Sequence, residues 1–204
     1  MKKFLSILLL SVLIFTGCSF NFSLGGEDDT APDTTADDTA ADDSTTDATA
    51  LTQTFNTANF GYTFNYPADW QKQEDVNSYT VLVANGKASV AIQNLASTAM
   101  GGVYANVNDV ITEFKTQLNE AQNVKLSDES DLPYTLEDGT ILTGKQFMVE
   151  YTIPEDNATY KQWQIVVPRK DGQIFHAWSY TSLVENYDEW LPLAQEIWAS
   201  RKMI

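Results

Sequence analysis

The sequence predicts an α+β domain, an antiparallel β-sheet of six or more strands flanked by helices. Three observations carry this expectation. Asn85-Gly86, Asp138-Gly139 and Asp171-Gly172 are hairpin dipeptides, each set between apolar or β-branched runs. Two other segments repeat apolar residues at helical spacing. The segment 174–181 is apolar on both alternations, with Ile174, Trp178 and Tyr180 on one side and Phe175 and Ala177 on the other. Both faces of the sheet therefore need cover, which calls for helices on both sides.

The elements follow in chain order. Residues 62–66 alternate Tyr, Phe and Tyr with Thr and Asn, reading as a strand that ends at Pro67. Residues 79–84 pair with 88–95 through Asn85-Gly86. Asn106, with Asp109 three residues on, reads as a helix N-cap, and Val107, Val110, Ile111, Phe114 and Leu118 share one helical face. Residues 132–137 pair with 141–153, and 163–167 with 174–181. Pro154-Glu155-Asp156-Asn157 makes a longer turn between Ile153 and Tyr160. A second helical stripe holds Tyr187, Leu191, Ala194, Ile197 and Trp198. Glu185, Asp188 and Glu189 stand at its start and Arg201 and Lys202 at its end, as the helix dipole favours. Pro192 fits the first turn if this helix opens near Asp188 or Glu189.

Upstream of these elements the chain is of a different kind. Lys2 and Lys3 precede an apolar run from Phe4 to Phe15, and Thr16-Gly17-Cys18 closes it. Charge, short apolar run and small residues in that order read as a secretory signal, too short for a permanent membrane span. The ending on the only cysteine resembles the lipobox of bacterial lipoproteins, with Phe15 where that family prefers Leu. The resemblance implies cleavage after residue 17 and a lipid-bearing Cys18 that anchors the protein on the extracytoplasmic side of a bacterial membrane. Each buried acyl methylene contributes about 0.8 kcal/mol, so two or three chains hold firmly where one is marginal.

Residues 19–50 carry nine acids and no Lys or Arg, mostly among Asp, Thr and Ala. Nothing there offsets the entropy of ordering, and like charges repel. The segment reads as an extended spacer spanning roughly 30 Å as a flexible chain. A tail for cations or basic proteins is the other reading of such a tract. The expected organisation is a signal peptide at 1–17, lipidated cysteine and linker at 18–50, and one domain at 51–204. All five Trp and all nine Tyr lie in that domain.

The domain holds nineteen acids against ten Lys and Arg, a net charge of −9. That balance excludes nucleic acid as a partner, since phosphate contacts need clustered basic residues. No nucleophile elbow, Walker loop or dinucleotide fingerprint occurs, and no cofactor is expected. Gly101-Gly102 reads as a plain flexible turn. His176, the single histidine, is a base or metal ligand in one reading and a structural side chain in the favoured one. Asp128, Glu129 and Asp131, or Glu155, Asp156 and Asn157, offer hard oxygen ligands for calcium, without the EF-hand pattern. Trp163, Trp178, Tyr160 and Tyr180 are the candidate ligand-binding residues as a stacking platform; in strands such residues more often belong to a core.

Phe60-Gly61-Tyr62-Thr63-Phe64-Asn65-Tyr66-Pro67-Ala68-Asp69-Trp70 resembles the opening of PsbP-like domains, where an aromatic strand runs into a Tyr-Pro-x-x-Trp turn. Ser179-Tyr180-Thr181-Ser182, then Glu185-Asn186-Tyr187 and the final helix, resemble the end of the same domains. The resemblance covers residues 54–202. It implies the Mog1/PsbP-type α/β/α sandwich, found in photosystem assembly subunits and in bacterial lipoproteins. The residues by which photosynthetic members bind their complex are not identifiable here, and none is carried over. The expectation is a membrane-anchored, non-enzymatic binding or assembly module with a protein partner. An envelope lipoprotein that binds a small molecule or glycan is the alternative, and a hydrolase the remote one.

Overall fold

The computed structural model describes residues 50–57, 60–118, 121–155 and 157–203. Residues 1–49, on which the expected signal peptide, the lipid-bearing Cys18 and nearly all of the expected linker fall, lie outside the described residues. Among the described residues eleven strands and two α-helices succeed one another as β1 (Gln53–Thr57), β2 (Tyr62–Tyr66), β3 (Gln71–Asp75), β4 (Thr80–Ala84), β5 (Ala88–Ala96), α1 (Val107–Gln117), β6 (Gln122–Leu126), β7 (Ser130–Thr135), β8 (Ile141–Ile153), β9 (Ala158–Pro168), β10 (Ile174–Leu183), α2 (Tyr187–Ser200) and β11 (Lys202–Met203).

The main sheet has eight strands in the order β3-β4-β5-β10-β9-β8-β6, with β7 also on β8. All of these pairs are antiparallel. The expected hairpins are β4–β5, β7–β8 and β9–β10, and at Gly86 the tight turn holds φ at 86°, a conformation that favours glycine. A second sheet, β1-β2-β11, has three strands.

Alternation divides the core in two. On one face Val81, Val83, Val90, Ile92, Trp178 and Tyr180 pack against Phe55, Tyr62 and Phe64 of the small sheet, Phe60 just ahead of β2, and Leu193, Ala194 and Ile197 of α2. On the other, Phe147, Val149, Tyr151, Tyr160 and Phe175 pack against Val110, Ile111 and Phe114 of α1. Each large apolar side chain removed from water contributes about 1.5–3 kcal/mol, so both layers are needed to hold a sheet that is apolar on both sides. The helices do lie on both faces, and the first face carries a small sheet besides.

The helix signals are met at α1 and shifted at α2. Asn106 Oδ1 accepts from Asn108 N at 2.8 Å and Asp109 N at 3.3 Å, while Asp109 Oδ2 accepts from Asn106 N at 3.2 Å. That reciprocal pair is a capping box. Helix α2 opens at Tyr187, ahead of Asp188, so Pro192 is its sixth residue and lies past the first turn. Tyr187 is buried and packs its ring against that of Tyr180 in a tilted pair, centres 4.8 Å apart, which draws the helix start toward β10. Pro192 itself faces solvent, where the carbonyl its ring leaves unpaired can be hydrated. At the far end Arg201 Nη1 donates to the Trp198 carbonyl at 2.6 Å. Lys202 has already left the helix to pair with Thr63 in β11.

The Gly101-Gly102 turn is tight where the sequence suggested flexibility. A Cβ on Gly102 would stand 1.9 Å from the Ala96 carbonyl oxygen, and Gly102 N donates to Ser97 O at 2.9 Å. Close backbone contact requires glycine here.

Candidate functional site

The four aromatic residues singled out by sequence do not share a face. Trp163 stands 5.0 Å from Trp178 in an edge-on pair, Trp178 stands 5.4 Å from Trp198, and Tyr180 meets Tyr187. Tyr160 belongs to the opposite layer, beside Tyr151 at 6.1 Å. Trp178, Tyr180 and Tyr160 are buried, and of the four Trp163 alone is half-exposed. An odd spacing along β9 separates Tyr160 from Trp163, because side chains alternate every residue.

His176 is only 3 % exposed. Its Nδ1 lies 2.7 Å from Asn94 Oδ1, and Asn94 Nδ2 donates to the Phe60 carbonyl at 2.7 Å. With the amide oriented by Phe60, Nδ1–H is the donor and the proton is fixed on that nitrogen. The Tyr62 ring meets the imidazole edge-on at 5.5 Å. Burial, reinforced by the nearby Arg169 and Arg201 charges, pulls the imidazole pKa down to about 4, so the ring is neutral at physiological pH. The cavity it lines with Tyr62, Trp178 and Arg201 measures about 10 Å³, the scale of one water. No substrate fits there.

Arg201 lies beside this cavity, 2.9 Å from the Trp198 ring centre and 4.1 Å from that of Tyr134. Burial lowers its pKa to about 9, which leaves it charged at neutral pH.

A larger recess lies farther along the same face. Strand β8 has thirteen residues and takes two partners in succession, β7 along its first half and β6 along its second. The chain crosses between them at Ser127, Asp128 and Glu129. Ser127 N donates to Met148 O at 2.9 Å, and Met148 N donates to Ser127 Oγ at 2.8 Å. Between this crossing and α2 opens a cleft of about 520 Å³. Met148, Trp163, Tyr187 and Leu191 form its apolar wall, and Asp128, Gln146 and Gln195 its polar part. Met148 and Trp163 are directly opposite in the β8–β9 register. Trp163 Nε1 donates to Gln146 Oε1 at 3.0 Å, so the indole turns a satisfied ring toward its surroundings. The Tyr187 hydroxyl, by contrast, is buried with no hydrogen-bond partner. Its pKa is raised, first by burial and then by Asp188.

The acids read as calcium candidates divide. Glu129 pairs with Lys115, and Asp131 pairs with Lys145 at 3.1 Å. Asp156 lies outside the described residues. Among the described residues no group of three or more His, Cys, Asp or Glu is placed to hold a metal ion.

Sequence reasoning passed over Met148 and Gln146. A signal existed: Met148 interrupts the polar alternation Gln146, Glu150 of β8 with a large apolar side chain, which is 42 % exposed.

No family model and no curated protein matches this chain. Among solved structures it is similar to cyanobacterial PsbP (CyanoP) from Synechocystis sp. PCC 6803, at 14 % identity and a TM-score of 0.55, over 74 % of this chain and 92 % of that one. It is also similar to the Ran-binding protein Mog1p of Saccharomyces cerevisiae, at 10 % identity and a TM-score of 0.48, over 74 % of this chain and 94 % of that one. A third likeness is to LpqN, described as involved in cell envelope biogenesis of Mycobacterium tuberculosis, at 15 % identity and a TM-score of 0.39, over 70 % and 82 % of the two chains. At 14 % identity the CyanoP likeness speaks for architecture alone: this chain has the PsbP-type α+β fold.

Proposed function

We propose that this protein is a lipid-anchored binding or assembly module of a bacterial cell envelope, without enzymatic activity of its own. In this reading residues 1–17 are a signal peptide, Cys18 carries the lipid, and the acidic linker holds the domain 51–204 off the membrane. The order of Lys2-Lys3, the apolar run and Thr16-Gly17-Cys18 supports the anchor. No helix among the described residues is long and apolar enough to cross a membrane, which is compatible with attachment by lipid.

One contrast carries the binding reading. The single histidine is neutral, tied to Asn94 and closed over about 10 Å³, while the cleft of about 520 Å³ is walled by aromatic, thioether and amide groups with Asp128 as its one carboxylate. Acid–base catalysis is run most often by a partnered histidine or a pair of carboxylates, and the lining of this cleft has neither, whereas binding needs a shaped, partly apolar recess with a few polar groups. The second reading, a small molecule or glycan held in the same cleft, is favoured by the half-exposed Trp163.

The test is site-specific photo-cross-linking in intact cells. Benzoylphenylalanine at position 148 should capture a discrete partner, and the same group at position 155, on the β8–β9 turn, should not. Alongside, the purified protein should turn over no ester, glycoside or peptide substrate. Reproducible hydrolysis abolished by one cleft substitution would overturn the non-enzymatic reading.

A further inference from the structure

The cleft carries a charge pattern that the fold does not need. Its lining includes one carboxylate, Asp128, and no lysine, arginine or histidine. The neighbouring acids are neutralised within the domain, Glu129 by Lys115 and Asp131 by Lys145. Among the described residues Asp128 has no ion pair, and only its backbone oxygen is engaged, by Ser127 Oγ at 3.2 Å.

The groups that line the cleft with this carboxylate are suited to a cation with an apolar stem. Trp163 offers an indole ring whose N–H is already satisfied by Gln146. Met148 offers a polarisable thioether that is 42 % exposed, and Leu191 lengthens the apolar wall. Aromatic rings attract organic cations, thioethers adapt to irregular stems, and a carboxylate sets the sign of the guest. The domain already uses this chemistry next door, where Lys161 Nζ sits 4.3 Å from the Tyr187 ring centre. The net charge of −9 over residues 51–204 draws basic partners from a distance.

We infer that the cleft is the docking site for a basic segment of a partner protein. An arginine or lysine of that segment meets Asp128, and its stem and an apolar neighbour lie on Trp163, Met148 and Leu191. About 520 Å³ accommodates more than one side chain, which favours a peptide segment over a lone amine. The inference rests on the binding-module reading and names the chemistry of the partner.

The test uses the full chain in detergent and three probes: a capped tetrapeptide alternating leucine and arginine, its leucine–glutamate counterpart, and free arginine amide. The basic peptide should bind, weaken as salt rises, and lose about fivefold in affinity with Asp128→Asn, as for a part-exposed ion pair. Met148→Lys, at an exposed position that leaves the core untouched, should weaken it further. Glu155→Gln makes the same charge change away from the cleft and should leave binding unaltered. Equal binding of the acidic peptide, or an Asp128→Asn protein indistinguishable from the parent, overturns the proposal. Arginine amide binding as tightly as the peptide overturns the assignment to a protein segment. A partner cross-linked at position 148 while the basic peptide fails leaves the binding-module reading standing and removes this one alone.

Discussion

His176 and Asn94 face each other across the β10–β5 ladder, with the imidazole Nδ1 2.7 Å from the amide oxygen. Asn94 in turn holds the Phe60 carbonyl just ahead of β2, so this side-chain pair joins the large sheet to the small one. The histidine is thus a fastening between layers, and its titration reports on folding.

Burial holds His176 at about 4 against an ordinary value of 6.5. The unfolded chain therefore takes up the proton first as pH falls. Stability from this group is complete above pH 6.5 and declines as pH drops toward 4, by roughly 3 kcal/mol over the whole window and about 2 by pH 5. Chemical denaturation at pH 7.5 and pH 5 measures this. His176→Gln should flatten the decline between the two pH values. Equal declines in the two proteins would assign the pH dependence elsewhere.

Two glycines separate steric need from conformational need. Gly102→Ala places a methyl group 1.9 Å from the Ala96 carbonyl oxygen and forces the backbone apart. A loss of about 2–4 kcal/mol is expected. At Gly86 nothing lies within 4 Å and only the positive φ resists. Gly86→Ala should cost about 1 kcal/mol. A reversed order of the two melting temperatures would contradict the close approach at Gly102.

The anchor is read from Cys18. Replacing it with Ala should abolish fatty-acid labelling and leave the signal uncut by lipoprotein peptidase. Normal acyl labelling of Cys18→Ala would remove the lipid-anchor proposal.

The linker is expected to be dispensable for folding, since its Asp, Thr and Ala cannot build a core. A chain comprising 51–204 should melt at the temperature of the chain beginning at residue 18. A loss of several degrees would show that the acidic tract packs on the domain and would move the boundary.

Much of the fold is legible locally. The three hairpins were readable because Asn-Gly and Asp-Gly suit the turn whatever surrounds it. The start of α1 was readable because the Asn106–Asp109 box closes within three residues. Strands β3 and β6 were not, since Gln71–Asp75 and Gln122–Leu126 are exposed throughout and carry no inside–outside alternation. They are edge strands, held by pairing with β4 and β8 more than by burial.

By itself, then, the sequence determined the fold class, the hairpins, the capping of α1 and the charge of the domain, all of which depend on neighbours a few residues apart. Tertiary structure alone decided which side chains meet. Trp163 joined Met148 and Leu191 at the cleft, while Tyr160 went to the opposite layer. Pro192 was carried past the first turn of α2 when Tyr187 packed on Tyr180. The physical reason is one of range. Turn and cap preferences are set by local backbone energetics, whereas the cleft exists because β8 exchanges β7 for β6 partway along its length and leaves α2 facing the gap.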